Sequence, residues 1–262
     1  MINWHRWWSS SPLSRYQRKR KQWAERVAAS RSEQARQAYP WPESVNAMLC
    51  EPSIDSHTPC HALDYLVFDI ECSGLDAEKD TILSIGWLSI EQQSIKLNSA
   101  QHYYITPDAP SAMDKDAVAI HQIMPKHLQQ GIAIETAFQR LFDAAQGKVL
   151  VVHGKCVEVA FMAQFFARYY QTPLPPFYWL DTLTMEKNSL QAKGDFQQGV
   201  TLSEVRQRHG LPPYPEHHAL SDALATAELW LAQMHRRDRQ SPVTFGEVFA
   251  VSEKPPRREA LF

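Results

Sequence analysis

The 262-residue chain has no stretch approaching the ~18 uninterrupted apolar residues that a membrane span requires, and runs such as Val149–Val152 have the length of strands. Its first residues, MINWHRWWSSSPLSRYQRKRKQ, carry charge but no apolar core of ~7 residues, so no secretory signal is expected. Four cysteines, Cys50, Cys60, Cys72 and Cys156, form no CxxC pair. Neither a zinc knuckle nor a disulfide scaffold is therefore indicated, and a reducing, cytoplasmic compartment is the expectation. There is no internal repeat and no low-complexity tract. What remains is 44% hydrophobic and 21% charged, the composition of an ordinary globular chain. The length suits one good-sized domain with extensions, or two small ones.

The formal net charge of −2 is unevenly spread. Residues 1–63 carry 9 Lys and Arg against 5 Asp and Glu, residues 64–235 carry 12 against 20, and residues 236–262 carry 6 against 4. An acidic body suits divalent cations, and basic ends attract polyanions such as nucleic acid phosphates. Charge asymmetry alone is equally the mark of solvated faces.

Arg15 to Tyr39 reads as one basic helix with Tyr16, Trp23 and Val27 on a stripe, ended by Pro40 and Pro42. Residues 43–63 read as a linker without sustained periodicity. From Asp64 the pattern changes. YLVFDI is a buried strand, TILSIGWLSI and QHYYIT are two more, KVLVVH a fourth and FYWLDT a fifth. Helices are expected over 114–123, 134–145, 156–170, 201–209 and 219–235, with Thr201 and Glu204 forming a capping box. Three successive strands followed by alternating strands and helices argue for a mixed sheet with helices on both sides. The expected organisation is an N-terminal helical extension and linker over 1–63, a catalytic domain over 64–235, and a tail over 236–262.

Asp69 and Glu71 stand at i and i+2 near the end of the first strand, so their side chains share one face. Two carboxylates there repel unless a cation lies between them, and a hard, oxygen-preferring ion such as Mg²⁺ or Mn²⁺ fits. Alone, the pair would more often be a strand end reaching solvent. Three further stretches strengthen the metal reading. Glu158 lies one turn into the helix after KVLVVH. Asp222 interrupts the small, apolar HALSDALATAELW, where a buried carboxylate requires a partner. His217 and His218 precede that helix. At ~100° per residue a histidine five positions before Asp222 would face away from it on a regular helix. The two converge only if the histidine lies on the loop that Pro213 and Pro215 open.

These segments resemble the DEDDh family of 3′–5′ exonucleases, which includes the proofreading epsilon subunit of bacterial DNA polymerase III. FDIECSGL resembles the motif D-x-E-T-T-G-L, and AVAIHQIM the stretch IHGIT. VVHGKCVEVAFM resembles H-N-x-x-F-D-x-x-F, and HHALSDALATAEL resembles H-x-A-x-x-D-A, which selects His217 over His218. WLDTL resembles the strand end that often precedes the last motif. The resemblance spans roughly residues 64–235 and departs once clearly, with Glu158 in place of the second motif's aspartate.

The resemblance implies an RNase H-like α/β fold: a mixed five-stranded sheet flanked by helices on both faces, here with a basic helical N-terminal extension. It implies two divalent ions, Mg²⁺ or Mn²⁺, about 3.5–4 Å apart on Asp69, Glu71, Glu158 and Asp222. His217 would be the general base, and Gly74, Leu75 and His121 would contact the terminal nucleotide. The implied reaction releases nucleoside 5′-monophosphates from DNA 3′ ends, single-stranded DNA being favoured, in replication or repair. An exoribonuclease and a catalytically impaired nucleic-acid-binding module are the alternatives. The longer Glu158 side chain would favour Mn²⁺, whose geometry is more forgiving than that of Mg²⁺. His153 and Asp181 are expected to be structural, the latter as a helix cap. In the extension, Trp4, Trp7 and Trp8 either stack on bases or dock the arm. The final Leu261 and Phe262 resemble part of a sliding-clamp-binding pentapeptide whose first position would be Arg258.

Overall fold

β1 (Tyr65–Cys72) reads as an unbroken apolar run because both of its faces are covered. Leu66, Phe68, Ile70 and Cys72 enter one core cluster, and Tyr65 and Val67 enter a second. A computed structural model describes residues 11–29, 42–107, 123–195, 197–238 and 241–254, apart from the side chains of 26–29. β2 (Ile82–Glu91) and β3 (Ser94–Tyr104) continue from β1 as an antiparallel meander. β4 (Val149–Val152) pairs parallel to β1, and β5 (Trp179–Asp181) parallel to β4. The order β3-β2-β1-β4-β5 gives the mixed five-stranded sheet that the alternation of elements predicts.

Helices close both faces. α1 (Pro12–Ala29), α2 (Glu43–Cys50) and α3 (Pro125–Gln129) lie outside the alternating core. α4 (Ile134–Ala145) and α5 (Cys156–Tyr170) pack one face through Phe138, Phe142, Phe161 and Phe165. α6 (Thr182–Ala192) and α7 (Leu202–Arg208) lead to the long α8 (Ala219–Arg237), and α9 (Phe245–Ser252) follows. Trp230, Phe245 and Phe249 from α8 and α9 fill the second face. The expected bounds of α4 and α5 are met, as is the Thr201–Glu204 capping box.

Two expectations need correction. The segment 43–63 contains α2, whose Val45, Met48 and Leu49 are buried. Eight residues are too short for a periodic signal, and tertiary packing supplies the stability instead. The segment after 235 contains α9, which begins with a Thr244–Glu247 capping box and buries Phe245, Val248 and Phe249. Thr244 with Glu247 three residues later was a legible start signal.

α1 is docked. Arg20 is 4% exposed and donates to the carbonyls of Met48 (2.7 Å) and Pro176 (3.0 Å). Its guanidinium lies 4.3 Å from the Tyr178 ring centroid. Tyr16 donates to the Phe177 carbonyl, and Trp23 packs on the first core cluster. Trp4, Trp7 and Trp8, the continuation of the expected basic helix past residue 29, and most of the expected helix over 114–123 lie outside the described residues. None of the described helices is long and apolar enough to cross a membrane.

Candidate active site

β1 carries Asp69 and Glu71 on the face covered by α8, and α8 carries Asp222 in its first turn. One carboxylate oxygen from each of the three lies within 4.8 Å of the others. This grouping depends on close contact between helix and sheet. Gly86 pairs with Asp69 across the β1–β2 ladder. A Cβ at Gly86 would lie 2.3 Å from the Leu220 nitrogen and 2.6 Å from the Ala219 carbonyl carbon. Only glycine lets the backbone of α8 rest directly on β2 beside Asp69. A lone glycine inside a strand signals close backbone approach, and that is the one local trace Gly86 leaves in the sequence.

The loop ahead of α8 resolves the helical-phase problem. α8 has His218 as its N-cap, so His217 lies off the helix, with φ of 66°. Histidine is among the residues that tolerate the left-handed region. The resulting turn aims two backbone N–H groups, from His217 (3.0 Å) and His218 (3.3 Å), at Asp222 Oδ2. The motif histidine and aspartate are thereby tied by the backbone.

Glu158 arrives from α5, on the opposite face from Asp222. It is 4% exposed, and its Oε2 finds no hydrogen-bond partner among the described residues. It stands outside the 4.8 Å group yet close enough to act on Asp69. Burial, then Glu158, Glu71 and Asp222, raise the Asp69 carboxyl well above the usual carboxylate range. Burial and then Asp222 push Glu71 up to about 8. Burial does the same to Glu158, to about 8, with Asp181 adding to it. Asp222 is also raised, chiefly by burial, against the hydrogen bonds from His218 and His217. Four acids that burial and mutual repulsion push towards neutrality, one with an orphaned oxygen, form a donor set suited to hard divalent cations.

The supporting residues are structural, as expected. Asp181 is 2% exposed and accepts from the Leu183 N–H (3.0 Å), the Thr184 hydroxyl (2.6 Å) and the Gly154 N–H (2.8 Å). It thus caps α6 and fixes the turn into α5. His153 contacts Thr182 Oγ1 (2.9 Å) and the Val200 carbonyl (3.3 Å), and burial lowers its pKa.

The loop between β1 and β2 holds Gly74 and Leu75. Asp80 accepts from the Ser73 hydroxyl (3.1 Å) and the Asp76 N–H (2.8 Å), and a Cβ at Gly74 would strike the Asp80 carboxylate at 2.4 Å. This knit loop presents Leu75 at 82% exposure, beside a groove lined by Ala160 and Ala163 of α5. His121, Leu261 and Phe262 lie outside the described residues.

A parallel–antiparallel sheet with an acid cluster at the end of its central strand defines a nuclease-like α/β domain. The family model described as "Exonuclease" (RNase T) matches residues 66–230, and the chain belongs to that family. Among curated proteins it is similar to a PolC-type DNA polymerase III of Thermotoga petrophila, 24% identical over 171 residues, which are 64% of this chain and 12% of that protein. It is also similar to a DNA polymerase III subunit epsilon-like protein of Rhodobacter capsulatus, 26% identical over 208 residues, 77% of this chain and 28% of that one. The chain thus spans only about an eighth of the PolC-type relatives it matches. In fold it is similar to the nuclease domain of 3'hExo, a DEDDh family member, with a TM-score of 0.58 at 13% identity over 71% of this chain and 98% of that one. Escherichia coli exonuclease I in complex with a dT13 oligonucleotide gives 0.55 at 16% identity over 68% and 42%.

Proposed function

We propose that the protein is a metal-dependent 3′–5′ exonuclease that removes nucleoside 5′-monophosphates from the 3′ end of DNA, single strands being preferred. The observation that carries this reading is the convergence of Asp69, Glu71 and Asp222 within 4.8 Å, with the buried Glu158 acting on Asp69. The similar polymerase subunits and the exonuclease I–oligonucleotide complex support DNA as the substrate. A reducing, cytoplasmic compartment goes with this reading.

Asp69, Glu71, Glu158 and Asp222 are assigned as the ligands of two divalent ions, Mg²⁺ or Mn²⁺. When bound, such ions supply an activated water and stabilise charge on the leaving 3′ oxygen. His217 is assigned as the general base, since a neutral imidazole can take the proton of a water held beside the acids. The hydrogen bond from its backbone N–H to Asp222 Oδ2 holds the start of its side chain beside that acid and supports this assignment. Gly74 and Leu75 are assigned to the terminal nucleotide: the loop is held by Asp80, and the exposed Leu75 offers an apolar surface for a sugar or base. His121 is assigned to the same subsite from the motif it occupies. The clamp contact through Leu261 and Phe262 stays a proposal from sequence.

The test uses 5′-labelled single-stranded DNA, duplex DNA and RNA, each with Mg²⁺, Mn²⁺ or chelator. Stepwise shortening of DNA from the 3′ end is expected with either metal, and none with chelator. Asp69→Ala should lose at least about 100-fold in rate, the scale of removing one electrostatic stabiliser. An Asp69→Ala protein as fast as the parent would refute the assignment, and a preference for RNA would move it to the exoribonuclease reading. Glu158→Asp shortens the ligand by one methylene. It should retain activity and move the metal preference from Mn²⁺ towards Mg²⁺, read as the ratio of rates in the two ions.

A further inference from the structure

The sheet register carries a set of rings up to the carboxylates. Asp69 pairs with Gly86, and Gly86 with His102, so the three share one row across β1, β2 and β3. Glu71, Ser84 and Tyr104 form a neighbouring row. Residues directly opposed across a ladder project to the same face, which puts His102 and Tyr104 on the carboxylate face. Two strand spacings separate them from the acids, about 10 Å in all.

His102 and Tyr104 meet edge to face, their ring centroids 4.7 Å apart at 88°. His218 stacks on His102 at 4.4 Å, and His127 of α3 stacks on Tyr104 at 4.9 Å. The order His218, His102, Tyr104, His127 is a continuous run of four rings that begins one residue from His217. None of these rings is fully buried, although Tyr104 also packs on Leu83, Ile123 and Leu128. His218 is exposed and the other three are partly covered, while Met124 beside His127 is 53% exposed. Hydrogen bonding does not explain the position of His102, whose Nε2 has no partner among the described residues.

Aromatic and imidazole faces beside a nuclease site suit unpaired bases, which stack without regard to sequence. Duplex bases are already stacked on one another, and a protein partner would call for a larger apolar patch than Met124 supplies. We infer that this run of rings binds the unpaired nucleotides adjoining the one being removed, holding a single strand along the edge of the sheet. The inference rests on the exonuclease reading, with its preference for single strands, and adds to it the surface that holds the strand behind the terminal nucleotide.

His127 allows a clean test. Its Nδ1 accepts the Met124 N–H at 3.3 Å, so His127→Asn keeps an acceptor and deletes the ring, whereas His127→Phe keeps the ring. Each variant is compared with the parent on an oligo(dT) single strand and on thymidine 5′-monophosphate p-nitrophenyl ester, which is too small to reach beyond the acids. Loss of one stacked base is expected to raise KM for the strand roughly tenfold in His127→Asn. Hydrolysis of the ester should not change, and His127→Phe should stay near the parent on both. An unchanged KM for the strand in His127→Asn would overturn the inference, as would a parallel loss on both substrates. A parent protein inert towards the ester and the strand alike would instead overturn the exonuclease reading, which keeps the two failures apart.

Discussion

Gly86→Ala tests whether the contact between α8 and β2 sets the catalytic geometry. The added Cβ would lie 2.3 Å from the Leu220 nitrogen and 2.6 Å from two neighbouring backbone carbons. Ordinary contact needs about 3.4 Å or more, so the helix start must retreat by about 1 Å, because backbone in a packed interior does not yield as a side-chain tip does. Asp222 sits on that first turn and moves with it. Displacing a reacting group by ~1 Å costs about 100-fold in rate, while overpacking costs about 1–3 kcal/mol in stability. The assay pairs a thermal melt with single-turnover hydrolysis well below the melting temperature, where circular dichroism shows the variant folded. Lost stability together with a rate about 100-fold down supports the argument. A parental rate would refute it, because Asp222 would then not owe its position to this glycine.

Two further outcomes follow from the same geometry. The carboxyls of Glu71 and Glu158 stand at about 8 in the folded chain against an ordinary 4.5. Raising the pH between those values strips protons from the unfolded state first. Their contribution to native stability in chelator should therefore be full below about pH 4.5 and fall towards pH 8, on the order of 5 kcal/mol for Glu71 alone. Mn²⁺ should restore the melting temperature at pH 8 and do little at pH 5, and a flat pH profile in chelator would contradict this. Asp181→Ala should cost about 2–4 kcal/mol in a denaturant melt, because it removes the α6 cap and orphans the Gly154 N–H. A loss under 1 kcal/mol would show those donors satisfied elsewhere.

The strands and the central helices were legible because their signals are local. YLVFDI and KVLVVH are short apolar runs, and CVEVAFMAQFFARYY is long enough for its period to show. α2 was not legible, since eight residues give no reliable period and its stability comes from packing. α9 leaves its start signal in the Thr244–Glu247 capping box. At the site, Asp69 and Glu71 announced themselves by pleat parity, and His217 with Asp222 by a phase argument that required a loop. Gly86 gave only the weak signal of a glycine in a strand. The ring run from His218 to His127 gave none, because it draws on a loop, an edge strand and a short helix far apart in sequence.

Taken alone, the sequence determined the order of the five strands and the helices between them and the shared face of Asp69 and Glu71, since chain periodicity fixes which side chains point together within one element. Tertiary structure alone decided that Asp222 reaches that pair over a glycine without a side chain, and that Glu158 comes in from the opposite face. It also set the carboxyls' raised pKa, because burial and charge proximity depend on distances between elements, and no local pattern encodes those.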